Sequence, residues 1–197
     1  MKKLLREFYT RSSTLLIARE LLGKTLVIPD NNGKRVSGMI VETEAYQGPE
    51  DKAAHSYNNR RTKRTEVMFH EGGVVYIFLI YGIYFQFNIV TGKKDVPHAV
   101  LVRAIEPLDG IKTMRKRRGK MSDENLTSGP GKLAIALNID KSFNGETLNG
   151  NRIWIENNRQ IKKTPIISGK RIGIDYAEEY ADKKWRFCLK DNQYLSR

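Results

Sequence analysis

Residues 41–56, VETEAYQGPEDKAAHS, hold the side chains of this sequence whose types and spacing are most suggestive of chemistry. In a strand over MIVETEAY, side chains alternate between faces. One face is then shared by Ile40, Glu42, Glu44 and Tyr46. Acids are costly in a dry core, so this face must meet water, basic partners or a substrate. Two close carboxylates oppose each other's ionisation, and an enclosed one would have the raised pKa that suits proton transfer. The alternative is a solvated edge strand with incidental acids, and the residues alone leave both open.

The same segment ends near His55, one of three histidines in the chain. Glu50, Asp51 and His55 are all metal-ligating types, but their spacing matches no standard ligand pattern. We therefore expect no metal. The remaining alternatives are a histidine that hydrogen-bonds beside the glutamate strand and one that is only structural.

Two apolar runs, VVYIFLI and IYFQFNIV, flank Tyr81 and Gly82 and predict a β-hairpin. Gly82 can supply the positive φ of a tight turn. A tyrosine at such a tip is hard to bury and is a candidate wedge between DNA bases. The alternative is a tyrosine folded back onto a neighbouring loop.

The length of the hairpin turn decides which residues face each other. A two-residue turn places Tyr76 and Phe78 with Phe85 and Phe87, and leaves Asn88 on the other side. An odd-length turn or a bulge brings Asn88 round to the aromatic residues. The sequence does not decide between the two.

Arg103 lies in the apolar segment LVRAIEP, where a lone charge must be paired or must reach solvent. Glu44 or Glu42 is the expected partner if the two strands adjoin. The alternative is an arginine on an edge strand.

The composition favours a polyanionic partner. Lys and Arg number 35 against 22 Asp and Glu, a net charge of +13 among 197 residues. Two basic runs, RRTKR and KTMRKRRGK, are natural phosphate contacts. Their candidate backbone-binding residues are Arg60, Arg61, Lys63, Arg64, Arg115, Arg117 and Arg118.

Other features indicate a reducing, cytoplasmic setting. The single cysteine, Cys188, excludes an internal disulfide and any multi-cysteine metal site. No apolar run approaches the length of a membrane span, and the N-terminus lacks the apolar segment of a secretory signal.

The secondary-structure elements that must position these residues are predicted to be mostly strands, with fewer helices. Residues 12–28 predict a helix capped by Ser12 or Ser13 and ended by Gly23, running into a strand. Further strands are predicted at VSGMIVETEAY, HAVLVRAIEPL (ending at Pro107), WIENN, IISGKRIGI and RFCLK, and helices within 109–120 and 128–139. Strands do not alternate regularly with helices, which favours a single α+β domain over residues 1–197: a curved, mostly antiparallel sheet with flanking helices and a protruding hairpin.

Four blocks of the sequence together resemble the alkyladenine (3-methyladenine) DNA glycosylase family. They are VETEAYQGPEDKAAHS, the MF–x6–Y–x4–YG–x5–N pattern of residues 68–88, VLVRAIEPLDG and SGPGKL. The resemblance runs in order from about residue 21 to 137 and resumes weakly at RIGI, so it covers most of the chain.

The resemblance implies a monofunctional DNA repair enzyme, acting as a monomer on duplex DNA. It would flip out an alkylated purine, and also deaminated or ethenylated ones, and hydrolyse the N-glycosidic bond without metal, cofactor or covalent intermediate. By this resemblance, Glu44 is the general base and Arg103 is the arginine beside the nucleophilic water. Asn88 excludes guanine, and Tyr81 inserts into the duplex. The implied walls of the base pocket are Tyr46, His55, Tyr76, Phe78 and Ile174.

The sequence departs from the family pattern at two places. Phe78 occupies a pocket position that is usually tyrosine, which keeps the ring and loses the hydroxyl. Near the C-terminus, Ile174 and Asp175 stand where the family has a small hydrophobic residue and a glycine. These departures bear on the range of bases accepted.

Overall fold

The computed structural model describes residues 2–157 and 164–196, and its centre is an antiparallel sheet. The strands are β1 (Thr25–Pro29), β2 (Arg35–Gln47), β3 (Val75–Ile80), β4 (Tyr84–Thr91), β5 (His98–Asp109), β6 (Trp154–Glu156), β7 (Ile166–Gly169) and β8 (Arg186–Leu189). Their order is β3-β4-β5-β2-β1-β6, with β8 pairing both β2 and β7. The predicted α+β class with a mostly antiparallel sheet is confirmed. Asn158, the last residue of the predicted WIENN strand, lies outside the described residues, as does Arg197.

The strand that carries both candidate glutamates lies inside the sheet. β2 pairs with β5 on one side, and with β1 and then β8 on the other. Glu42 and Glu44 are both fully buried. The solvated edge strand is therefore the wrong alternative for these acids, and an edge position is wrong for Arg103 on β5.

Two register shifts distort the β2–β5 ladder around Glu42. Ile40 pairs with Ile105 but Glu42 with Ala104, so Val41 is an extra residue on β2. The ladder then resumes at Thr43, which leaves Arg103 as the extra residue on β5. Such bulges re-aim side chains. Ile40 consequently packs in the main apolar core and does not share the face of the glutamates, which corrects the simple alternation.

Short helices flank the sheet: α1 (Arg6–Tyr9), α2 (Thr14–Leu21), α3 (Ile111–Arg118) and α4 (Pro130–Leu137). Ser13 caps α2, as one of the two predicted alternatives, by accepting a hydrogen bond from the Leu16 amide. Gly23 follows its end with a φ of 81°, as expected of a helix-terminating glycine. None of the helices in the described ranges is long and apolar enough to cross a membrane.

The hairpin of β3 and β4 has a loop of odd length. Ile80 pairs with Tyr84, so Tyr81, Gly82 and Ile83 form the connection. Tyr81 and Gly82 both have positive φ, 53° and 69°. This register brings Asn88 opposite Tyr76, and the two-residue turn is excluded.

Two predicted strand boundaries need correction. β5 continues past Pro107 to Asp109, because the start of β2 still pairs with it there. The strand predicted over IISGKRIGI ends at Gly169. Beyond it Arg171 enters a buried ion pair, Gly173 has a φ of 76°, and a 3-10 helix begins at Asp175.

Candidate active site

A cavity of about 530 Å³ lies between the hairpin, β5 and the segment that follows β7. Its volume is in the range of small-molecule sites. All of the predicted pocket residues line it: Tyr46, His55, Tyr76, Phe78, Asn88 and Ile174. Arg103 and Tyr81 line it as well. Residues distant in sequence are therefore brought to one cavity.

The carboxylate of Glu44 is held beside this cavity by three donors. Its Oε2 accepts a hydrogen bond from the Tyr46 hydroxyl at 2.8 Å, and its Oε1 accepts one from the Ile172 amide at 2.8 Å. The Arg103 guanidinium lies 3.3 Å from Oε1. All three donors belong to residues that line the cavity. The arrangement fixes the orientation of a fully buried acid.

Burial raises the pKa of Glu44 above its ordinary value. Arg103, the Ile172 amide and the Tyr46 hydroxyl oppose this rise, and the charge of Glu42 adds to it. Burial and the Glu44 charge raise the pKa of Tyr46 well above its usual range. Tyr46 therefore keeps its hydroxyl proton and donates a hydrogen bond to the carboxylate. Glu44 thus has the environment of a carboxylate with enhanced basicity.

Glu42 shares Arg103 with Glu44 but has other partners of its own. Its Oε1 accepts hydrogen bonds from Arg103 at 3.0 Å and from Arg186 at 2.7 Å. Ser196 donates to it through both its hydroxyl and its amide. The glutamate–arginine pairing expected across adjoining strands is therefore present, with Arg103 contacting both acids.

His55 forms one aromatic wall together with Tyr76 and Phe78. Its ring lies edge-on to Phe78 with centroids 4.5 Å apart, and its Nδ1 is 2.9 Å from the Tyr76 hydroxyl. Arg64, which has only donors, lies 3.2 Å from Nε2, so Nε2 is the acceptor and Nδ1 carries the proton. Burial, and secondarily the charge of Arg64, lowers the pKa of His55 to about 4, so the ring is neutral at pH 7. His55 is therefore hydrogen-bonded, to Tyr76 and Arg64 and not to the glutamate strand.

The acids near His55 do not gather around it as metal ligands. Asp51 instead pairs with Arg171, and the described residues contain no group of three acidic, histidine or cysteine side chains that could hold a metal ion.

Asn88 and Tyr81 occupy opposite ends of the hairpin. Asn88 is buried and donates from Nδ2 to the Tyr76 and Gln86 carbonyls, both at 3.2 Å, which fixes its amide in the cavity wall. The side chain of Tyr81 is 84% exposed, so it is not folded back onto a neighbouring loop.

The seven candidate phosphate contacts differ in their surroundings. Arg61 pairs with Glu66 and Asp95, and Arg115 with Asp123, in exposed ion pairs that contribute little stability. Arg117 and Arg118 donate to the main-chain carbonyls of Ala136 and Leu126, and Arg118 also lines the cavity. Arg60, Lys63 and Arg64 are exposed.

Three contacts at this site have no signal in the sequence. They are the Ile172 amide on Glu44, the Ser196 contacts with Glu42, and the buried pair of Arg171 with Asp51. A main-chain donor has no residue signature, and the pattern of RIGI predicts a strand. The residue type of Asp51 suggests only a metal ligand, and its partner Arg171 is 120 residues away in the sequence.

Comparisons with known proteins identify the same family over nearly the whole chain. The family model described as methylpurine-DNA glycosylase (MPG) matches residues 7–193. A protein of Clostridium novyi named "Putative 3-methyladenine DNA glycosylase" is 51% identical, with 100% of each chain covered. Proteins with the same name from Desulfitobacterium hafniense and Natranaerobius thermophilus are 51% and 48% identical, with 98% or more of each chain covered.

Proposed function

The chain belongs to the methylpurine-DNA glycosylase family and is a purine-specific DNA N-glycosylase of DNA repair, and from this premise we propose that Glu44 activates the water that releases the damaged base. The observation that carries this proposal is the fully buried Glu44 carboxylate, oriented by Tyr46, Ile172 and Arg103 beside an aromatic-walled cavity.

The chemistry of the bond explains why one carboxylate suffices. A purine alkylated at N3 or N7 already carries positive charge and leaves without a proton donor. The enzyme must supply a placed water, a carboxylate that takes its proton and stabilises the cationic sugar, and exclusion of bulk solvent. Glu44 fills the carboxylate role and Arg103 orients it.

The walls of the cavity favour an electron-poor base. The faces of Tyr46, His55, Tyr76 and Phe78 offer stacking to a cationic purine. Neutral His55, with its pKa of about 4, supplies no leaving-group acid near pH 7, so cationic lesions should react faster than neutral ones. The buried Asn88 amide crowds the exocyclic amine of guanine, Ile174 closes the cavity, and Phe78 lacks the hydroxyl usual at its position.

Access to the cavity requires the nucleotide to leave the duplex. Unstacking costs a few kcal/mol and less for a damaged base, so extrusion itself selects lesions. We assign Tyr81 to the vacated space and the seven basic residues to the DNA backbone. The exposed ion pairs of Arg61 and Arg115 can exchange a carboxylate for a phosphate at little cost. We further propose that residues 1–197 act as one monomeric domain, in the cytoplasm with the DNA.

A lesion panel tests the substrate range. Duplexes carrying methylated purines, hypoxanthine or 1,N6-ethenoadenine, and an undamaged duplex, are incubated with excess enzyme, and free bases are quantified against enzyme-free controls. We expect the fastest release for 3-methyladenine, slower release of the neutral lesions, and no guanine from undamaged DNA. Release of neutral lesions faster than methylated ones would contradict the leaving-group argument.

Replacing Tyr81 by alanine tests the insertion role. The change removes an exposed ring from a loop, so stability should be unchanged, while the preference for lesion-containing over undamaged duplex should fall about tenfold, since stacking of one ring contributes about 1–3 kcal/mol. Gel-shift titration measures both affinities, and Tyr176→Ala, another exposed tyrosine at the cavity, is the matched control. Unchanged lesion affinity and unchanged single-turnover excision would show that Tyr81 does not insert.

A further inference from the structure

The buried pair of Arg171 and Asp51 adjoins the cavity wall, because Arg171 packs against the lining residue Tyr46. Both side chains are fully buried. The guanidinium makes a two-pronged contact with the carboxylate, Nη1 to Oδ2 at 2.5 Å and Nη2 to Oδ1 at 2.8 Å. Bidentate pairing of this kind fixes the relative orientation of the two groups as well as their distance.

Arg171 ties three parts of the chain together. Its Nη1 donates to the Ala45 carbonyl at 2.9 Å, and its Nη2 donates to the Tyr180 carbonyl at 3.2 Å. Its guanidinium also lies between two aromatic rings, 4.6 Å from the centroid of Tyr46 and 5.0 Å from that of Trp185. Arg171 thus packs against the ring of Tyr46, a residue that lines the cavity.

Asp51 links Arg171 to the loop that contains His55. Its carboxylate accepts hydrogen bonds from the amides of Gln47 at 3.1 Å and Ala53 at 3.0 Å. The end of β2, the loop and the segment after β7 therefore meet at a single ion pair.

The position of Arg171 in the chain matters for Glu44. The next residue, Ile172, donates its amide to the Glu44 carboxylate at 2.8 Å. Because Arg171 is held by Asp51 and by Ala45, the following peptide unit has little freedom to move away. Catalytic groups generally need buried hydrogen bonds from neighbouring residues to hold them in a precise geometry.

Stability alone does not account for this pair. Buried ion pairs are often no more stabilising than apolar packing of the same volume. The Nε of Arg171 is also buried with no hydrogen-bond partner among the described residues, which is a further cost.

We propose that Arg171 and Asp51 form a clamp that positions the catalytic site, holding the Ile172 amide on Glu44 and the Tyr46 ring in the cavity wall. Both are positioning residues, since neither contacts the reacting atoms. This inference rests on the proposed function of Glu44 as the base.

The test uses Arg171→Lys and Asp51→Asn in the 197-residue chain. Lysine keeps the charge but cannot span both carboxylate oxygens and stack on Tyr46. The control is Arg35→Lys, which breaks another two-pronged pair, with Glu156 at 2.7 and 2.8 Å, away from the cavity. Single-turnover release of 3-methyladenine is measured from pH 5 to 9, together with thermal unfolding.

We expect both clamp variants to lose about tenfold to a hundredfold in single-turnover rate. The pH below which the rate falls should move upward in both variants. The Ile172 amide lowers the pKa of Glu44, and this contact would be lost, while Glu42, Arg103 and Tyr46 would still face the carboxylate. Arg35→Lys should lower the unfolding temperature but keep the wild-type rate and limb.

A wild-type rate and acid limb in folded Arg171→Lys and Asp51→Asn would overturn the clamp. Should Arg171→Lys fail to fold, Asp51→Asn alone decides, since it preserves size and one acceptor oxygen. Failure of the proposed function is distinguishable, because it would appear as an inactive wild type or an active Glu44→Gln, whatever the clamp variants do.

Discussion

Replacing Glu44 with glutamine is expected to lower single-turnover excision of 3-methyladenine by about 10²–10⁴-fold while binding to lesion DNA is retained. Glutamine has the same size but cannot take a proton from water. The wild-type rate should fall as the pH drops through a pKa above the ordinary glutamate value, because burial raises the pKa of Glu44 and only the carboxylate is active. A pH–rate profile under single-turnover conditions measures both effects.

Glu42→Gln is the matched control for this experiment. It makes the same chemical change two residues earlier on β2, at an acid whose partners are Arg103, Arg186 and Ser196. We expect a smaller loss of rate and an acid limb at lower pH, since the Glu42 charge contributes to the raised pKa of Glu44. An inactive Glu42→Gln beside an active Glu44→Gln would identify Glu42 as the base and refute our choice of Glu44.

Replacing Arg103 with methionine should destabilise the fold by about 3–5 kcal/mol at neutral pH, because it leaves two buried acids with fewer positive partners. The pKa of Glu44 should rise further without Arg103. A group whose folded pKa is raised destabilises the protein as the pH rises through that pKa, so the deficit should be largest at high pH and shrink on acidification.

Urea unfolding of Arg103→Met between pH 5 and 8 measures this deficit. The control is Arg186→Met, which removes a partially exposed arginine that pairs with Glu42. Its deficit should be smaller and less dependent on pH. Equal, pH-independent deficits in the two variants would contradict a specific pairing of Arg103 with Glu44.

Strand patterning predicted much of this arrangement but could not choose between the glutamates. Alternation places Glu42 and Glu44 on one face, but only the structure shows that they share Arg103 and differ in their other partners. Alternation failed at Ile40 because the extra residue Val41 breaks the period of two, and bulges leave no residue signature. The resemblance to known glycosylases, carried by ETEAY, was what selected Glu44.

Long-range contacts were the least predictable part of the site. The hairpin was evident from its apolar runs, yet its register depended on whether Ile83 belonged to the turn. The partnership of Arg171 with Asp51 spans 120 residues, and neither side chain stands out among the many charges of the chain. Such contacts follow from the packing of the whole sheet, which local sequence does not encode.

Product analysis of one reaction tests the central claim most directly. Methylated duplex DNA is incubated with excess wild-type enzyme. Chromatography measures the free bases, and a neutral gel measures strand breaks. An enzyme-free sample is the control, and a parallel sample is treated with borohydride to trap any covalent complex. Glutamate-activated hydrolysis predicts free 3-methyladenine, intact strands bearing abasic sites, and no trapped protein–DNA complex. Release no faster than in the control, or strand cleavage accompanied by a trapped complex, would contradict it.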